Sequence, residues 1–97
     1  MNLFSDFHAR VARILRAMPQ TATLSDAALG RFVVEPPRDP SHGDLSTNVA
    51  MVTAKDAGMK PRDLADLVAA QLRAEAGVIS VSVAGPGFIN LSLDPTV

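Results

Sequence analysis

Residues 78–93 read VISVSVAGPGFINLSL, and this stretch carries the clearest fold signal in the chain. Apolar and small polar residues alternate on both sides of Gly85-Pro86-Gly87, which is typical of two strands joined by a tight turn. Because strand side chains point alternately to opposite faces of a sheet, the stretch predicts an antiparallel hairpin over 78–84 and 88–93. The first-strand residues predicted to face the core are Ile79, Val81 and Val83.

The second strand of this hairpin presents an aromatic ring and an amide on one face. Its inward residues are all aliphatic: Ile89, Leu91 and Leu93. Phe88 and Asn90 must then face outward, onto a surface open to water if helices cover only the other face. Leaving a phenylalanine exposed forgoes burial worth about 1.5–3 kcal/mol, whereas a base stacked on it returns about 1–3 kcal/mol. An amide beside the ring can read a base edge, so the pair is chemically suited to a nucleobase contact.

A structural role for both side chains stays open from the residues alone. Phe88 could pack beneath the helices at the mouth of the hairpin, or the turn could shift the register of the strand. Single exposed apolar residues are ordinary on protein surfaces, and an isolated asparagine such as Asn90 is most often a surface residue or a cap. The alternation therefore defines a candidate pair without deciding its role.

The apolar spacing upstream of the hairpin predicts three main helices. An amphipathic helix runs over 3–18 and ends before a proline. A second helix, with Asp44 or Ser46 as its N-cap, extends to about Ala57. A third begins near Pro61, because proline suits the first turn of a helix.

A further strand is predicted over 31–35, where the sequence is RFVVE, and three nearby prolines then prevent regular structure. The element order is helix, strand, helix, helix, strand, strand. It predicts an α+β fold: a small antiparallel sheet of about four strands with helices packed on one face. All of residues 1–97 are expected to form one domain.

Composition narrows the class of protein. The chain has 97 residues, is 47% apolar and carries a net charge of −1, whereas autonomous nucleic-acid binders usually carry a basic surplus. Contact with RNA would therefore be made as one part of a larger body. The absence of cysteine favours a reducing, cytoplasmic location. With no cysteine and only two histidines, the chain lacks the ligands of a structural zinc site, so we expect none. No apolar run reaches the roughly 20 residues of a membrane span.

Three motifs resemble one known family. Residues 43–51 read GDLSTNVAM, residues 61–65 read PRDLA, and residues 83–91 read VAGPGFINL. In order and spacing they are similar to motifs of the N-terminal domain of bacterial arginyl-tRNA synthetases, and the last is the most diagnostic. Lys55 also fits the pattern, while Leu45 stands where the family commonly has an aromatic residue. The resemblance extends over the whole chain and is strongest over 34–93.

The resemblance implies a role in tRNA recognition. Phe88 would pack against a base in the D-loop of tRNA(Arg), and Asn90 would form hydrogen bonds with that base. It also implies a four-stranded sheet, and we expect the strand not yet placed to lie near 21–24. The side chains given lesser weight as RNA contacts are Asn48, Lys55, Lys60 and Arg62, together with the arginines of the first helix.

The parent enzyme implied by the resemblance joins arginine to tRNA(Arg) with ATP and magnesium. Its His-x-Gly-His and Lys-Met-Ser-Lys signatures do not occur in these 97 residues. We therefore expect no catalytic residue and no cofactor here, and we expect the catalytic and anticodon-binding domains to lie outside the chain. The expected partners are tRNA(Arg) and the rest of the synthetase, with no membrane and no DNA.

Two other classes of function compete with RNA recognition. In the first, the chain is a protein-docking or oligomerisation module, with Phe88 as an interface anchor on the exposed sheet face. In the second, it is a small-molecule-binding domain with a pocket lined by the hairpin. Steep weakening by salt would distinguish RNA binding from protein docking.

Overall fold

The computed structural model describes residues 2–95, which form a layer of helices packed on a β-sheet. The helices are α1 (Leu3–Ala17), α2 (Asp26–Leu29), α3 (Val49–Ala57) and α4 (Pro61–Leu72), and a single 3-10 turn spans Pro40–His42. The strands are β1 (Val34–Glu35), β2 (Leu45–Thr47), β3 (Val78–Ala84) and β4 (Phe88–Leu93). None of the helices described is long and apolar enough to cross a membrane.

The four strands form one antiparallel sheet in the order β1-β2-β4-β3. Side chains from α1, α3 and α4 pack with the inward residues of the sheet into one core. Ile89 and Leu91 of the central strand are 0% and 2% exposed. The predicted α+β class, with helices on one face of a four-stranded antiparallel sheet, is confirmed.

The first helix follows its sequence pattern closely. The side chain of Asn2 caps α1, with its Oδ1 accepting a hydrogen bond from the backbone N–H of Phe4 at 2.9 Å. The helix ends just before Pro19, as predicted. Its buried stripe consists of Phe7, Val11, Ile14 and Leu15.

The location expected for the fourth strand was wrong. Residues 21–24 form turns in which the backbone N–H of Thr21 bonds to the carbonyl of Met18 and the Thr21 hydroxyl donates to Leu15. The fourth strand is instead β2, where Leu45 pairs with Leu91 and Thr47 with Ile89. Three residues carry too little alternation to identify a strand, and the pairing with β4 determines it.

The start predicted for the second helix was therefore also wrong. That helix, α3, begins at Val49, after β2, so neither Asp44 nor Ser46 caps it. The Asp44 carboxylate accepts a hydrogen bond from the backbone N–H of Leu93 at 2.7 Å. The Asp44 side chain therefore binds the backbone of β4 instead of capping a helix.

Two strands differ from the alternation in detail. The strand predicted over 31–35 is limited to Val34–Glu35, because Phe32 turns into the core and stacks on His8. In β3 the register shifts between Val78 and Ser80, so Ile79 bulges outward and is 63% exposed. The prediction that Ile79 faces the core was wrong, whereas Val81 is buried as expected.

The tight approach of Gly43 to β4 gives a stability test. Gly43 has φ 126°, and a Cβ there would lie 2.4 Å from the Leu91 carbonyl oxygen. We expect Gly43→Ala to lower the free energy of unfolding by about 3 kcal/mol or more, measured by urea denaturation. Gly58→Ala is the control, since Gly58 has φ 68° and no atom near its would-be Cβ. It should cost only about 1 kcal/mol, and equal losses would contradict the clash.

Candidate nucleic-acid interface

A cleft of about 360 Å³ opens on the sheet face opposite the helices. Its floor is formed by β2 and β4, and one side is formed by the hairpin turn after β3. The other side is the segment 35–42, which contains three prolines and returns over β4. At this volume the cleft is near the lower end of the range for small-ligand sites.

Phe88 stands on the hairpin side of the cleft and is 39% exposed. Its ring reaches back over the turn, since a Cβ on Gly85 would lie 3.9 Å from the Phe88 Cδ2 atom. The alternative in which Phe88 packs beneath the helices is therefore wrong. More than a third of Phe88 stays accessible to an incoming group.

Asn90 lies on the floor of the cleft and is 7% exposed. The strand registers place it in a row across the sheet, opposite Ser46 on one side and Ser82 on the other. The expectation of a fully open face was wrong at this position, because the segment 35–42 returns over it. A burial of this kind leaves Asn90 reachable only through the cleft.

The amide of Asn90 is available for an external partner. Within residues 2–95 it makes no side-chain hydrogen bond, and no fully buried side-chain nitrogen or oxygen lacks a partner. The amide must therefore keep some contact with solvent. A donor and an acceptor at the bottom of a cleft, next to an exposed ring, can bind a flat heterocycle by its edge and its face.

Asn48 is placed apart from this pair. It lies directly before α3 rather than inside it, contrary to the sequence expectation. Its Oδ1 accepts a hydrogen bond from the backbone N–H of Val33 at 2.9 Å. That bond ties the chain before β1 to the start of α3, which gives Asn48 a structural contact within the fold.

The three basic residues predicted as lesser contacts are not grouped around the cleft floor. Lys55 is exposed in the last turn of α3, and Lys60 is exposed just before α4. Arg62 donates from Nη1 to the carbonyl of Gly85 at 2.9 Å, which brings it to the hairpin turn beside Phe88. A Cβ on Gly87 would lie 3.2 Å from the Pro61 carbonyl oxygen, so the turn packs tightly on the start of α4.

The arginines of the first helix are largely occupied within the protein. Over residues 2–95, arginine forms ion pairs with carboxylates at Arg10–Asp6, Arg13–Glu75, Arg16–Asp26 and Arg31–Asp56. Arg10 also makes a longer contact with Glu75, at 4.0 Å. All of these pairs remain partly accessible to solvent, so each contributes little to stability. They balance the charge of the three arginines of α1.

Sequence reasoning missed three charged residues that line the cleft: Glu35, Arg38 and Asp39. Asp39 accepts a hydrogen bond from the backbone N–H of Ser41 at 2.9 Å, and this bond lowers the pKa of the Asp39 carboxyl. His42 also lines the cleft, with its Nε2 3.9 Å from that carboxylate. Only the density of prolines marked this segment in the sequence. In the described part of the chain, no group of acidic or histidine side chains is arranged to hold a metal ion.

The chain is a small α+β domain in which Phe88 and Asn90 line one cleft of the sheet. Residues 5–93 match the family model described as the arginyl tRNA synthetase N terminal domain. The chain belongs to this family, which explains the agreement of all three motifs.

Curated relatives agree with the family match. The chain is 58% identical over 96 residues to an arginine–tRNA ligase of Parvibaculum lavamentivorans, covering 98% of this chain and 16% of the relative. It is 54% identical to an arginine–tRNA ligase of Bradyrhizobium sp. strain BTAi1, covering 100% and 16%. It is also 54% identical to that of Xanthobacter autotrophicus, covering 99% and 17%. The chain thus spans about one sixth of the length of these relatives.

The two asparagines allow a structural role to be separated from a recognition role. Asn48→Ala removes the partner of the Val33 N–H and should lower the free energy of unfolding by about 1 kcal/mol, measured by urea denaturation. Asn90→Ala removes no intramolecular bond and should change it by less than about 0.5 kcal/mol. Asn48→Asp keeps the acceptor and serves as the control. A loss for Asn90→Ala as large as that for Asn48→Ala would make Asn90 a structural residue.

Proposed function

We propose that this chain is the N-terminal domain, over residues 1–97, of an arginyl-tRNA synthetase and that it contacts the D-loop of tRNA(Arg). In this proposal a D-loop base stacks on Phe88, and the Asn90 amide forms hydrogen bonds with its edge. The observation that carries the proposal is the shared cleft: Phe88, which is 39% exposed, and the Asn90 amide, which has no intramolecular partner, line the same space.

Energetics support a base as the occupant of the cleft. An exposed phenylalanine loses burial energy that a stacked base can return, at about 1–3 kcal/mol per base. Recognition through unstacked loop bases and their edges is how proteins most often read RNA sequence. Ser46 and Ser82, which flank Asn90 in the sheet, carry hydroxyl groups that can donate or accept, and Ser46 also lines the cleft.

Charge places a limit on how the domain acts. The net charge of −1 gives it little general attraction for RNA. Lys55, Lys60 and Arg62 lie outside the cleft floor and would serve as peripheral phosphate contacts, and Asn48 would act through the fold. The remainder of the synthetase would supply most of the phosphate contacts that hold the tRNA.

The parent activity is part of the same proposal. The full enzyme would be a cytoplasmic, class I ligase that attaches arginine to tRNA(Arg) with ATP and magnesium. ATP would bind to the parts of the synthetase that carry its nucleotide signatures, which are absent from this sequence. This chain would provide no catalytic group and would act by recognition alone.

Protein docking is the second candidate function. It is favoured by the near-neutral charge and by Phe88, which can anchor a protein interface as well as a base. A docking interface of this kind would depend weakly on salt, whereas tRNA binding would weaken steeply with it.

An amide NMR titration of the 97-residue chain with an arginine tRNA transcript tests the primary proposal. We expect saturable shifts centred on Phe88, Ile89 and Asn90, and much smaller shifts with the same transcript carrying an altered D-loop. Phe88→Ala should weaken binding on the order of tenfold because the stacking surface is lost. Asn90→Ala should reduce the difference between the two transcripts. Equal shifts with both RNAs, confined to Arg and Lys, would contradict D-loop recognition.

A further inference from the structure

We infer that Arg38 is a phosphate-binding residue of the cleft and holds the backbone of the same nucleotide whose base contacts Phe88. This inference rests on the proposed function and extends it to a residue that none of the three motifs contains. Arg38 lines the wall of the cleft that faces the sheet, across from Phe88 and Asn90.

The backbone around Arg38 is held in place before any ligand binds. Proline rings at 36, 37 and 40 fix the φ angles on both sides of it. The carboxylate of Asp39 caps the 3-10 turn that follows. The end of the segment is bound to the central strand, where the backbone N–H of Asp44 donates to the Leu91 carbonyl at 2.7 Å. The guanidinium of Arg38 therefore extends from a fixed support, which lowers the entropy lost on binding.

The distribution of charge singles out Arg38 among the nine lysines and arginines of the chain. Four arginines form ion pairs with carboxylates, and two more, Arg62 and Arg73, donate to backbone carbonyls. Over residues 2–95 the cationic side chains without such a partner are Arg38, Lys55 and Lys60. Of these, Arg38 is the one that lines the cleft.

Acidic neighbours form no ion pair with Arg38 in the described residues. Glu35 and Asp39 line the same cleft, yet neither forms an ion pair with it in the described part of the chain. The Asp39 carboxylate is engaged by the Ser41 N–H and faces His42. The Arg38 side chain is exposed and keeps its donors for a ligand.

The chemistry of a nucleotide fits this arrangement. A base that stacks on Phe88 carries its sugar and phosphate with it, and the fork of guanidinium N–H groups matches two phosphate oxygens. Binding by the ring at one end and by the phosphate at the other holds the nucleotide in the cleft at two points. Phosphate contacts carry no sequence information, so Arg38 would strengthen binding of all D-loop sequences alike.

Arg38→Gln is the test, with Arg16→Gln as a control of equal charge change. Arg16 lies on α1, on the helical side of the protein, and pairs with Asp26. Binding of an arginine tRNA transcript to the chain is measured between 50 and 200 mM salt, roughly the range over which phosphate contacts dominate the change in affinity. We expect Arg38→Gln to weaken binding on the order of tenfold at low salt and to reduce the salt slope by about 0.7–0.9. Arg38→Lys should restore part of the slope, because the charge is kept.

The outcomes separate this inference from the function on which it rests. If Phe88→Ala weakens binding while Arg38→Gln behaves as Arg16→Gln, the inference on Arg38 is wrong and D-loop contact stands. If Phe88→Ala leaves binding unchanged, the proposed function is wrong, and with it the assignment of Arg38 to that nucleotide. If the Arg38→Gln variant still discriminates between the two D-loop transcripts as the parent chain does, the result supports a phosphate contact. If the variant loses this discrimination, the result contradicts it. The urea midpoint of Arg38→Gln should equal that of the parent chain, since Arg38 makes no bond in the fold.

Discussion

The central position of β4 between β2 and β3 is the constraint on which the rest of the structure depends. Because this strand bonds to a neighbour on each side, its two faces are fixed: Ile89 and Leu91 must enter the core, and Phe88 and Asn90 must point to the cleft. A shift by one residue would exchange the two sets and expose the aliphatic side chains. The burial of Ile89 and Leu91 in the core therefore also determines that Phe88 and Asn90 lie on the cleft side of the sheet.

Where a sequence pattern was long, the sequence predicted the structure. Fifteen residues of amphipathic spacing were enough for α1, and the hairpin was evident from alternation around Gly85-Pro86-Gly87. The pattern failed where a long-range pairing decides the conformation. β2 has three residues and is a strand because β4 lies beside it, and the bulge at Ile79 leaves no sign in the alternation.

The candidate site was predicted in direction but not in surroundings. Alternation alone turned Phe88 and Asn90 outward, and the family resemblance assigned them to a base. Neither reveals that 35–42 returns over the sheet and leaves Asn90 only 7% exposed. A proline-rich segment has no regular spacing of apolar residues, so its sequence does not predict that the segment packs back over the sheet. For the same reason Arg38 and His42 could not be associated with the cleft before the structure was known.

The pairing of the arginines on the helical side has a kinetic consequence. Side chains whose charge is already balanced by Asp6, Glu75 or Asp26 create little field beyond the surface. A domain built in this way hardly accelerates the diffusional encounter with a polyanion. Whatever it contributes to a complex must come from short-range contacts that prolong the residence time, so it would act on the dissociation rate rather than on capture.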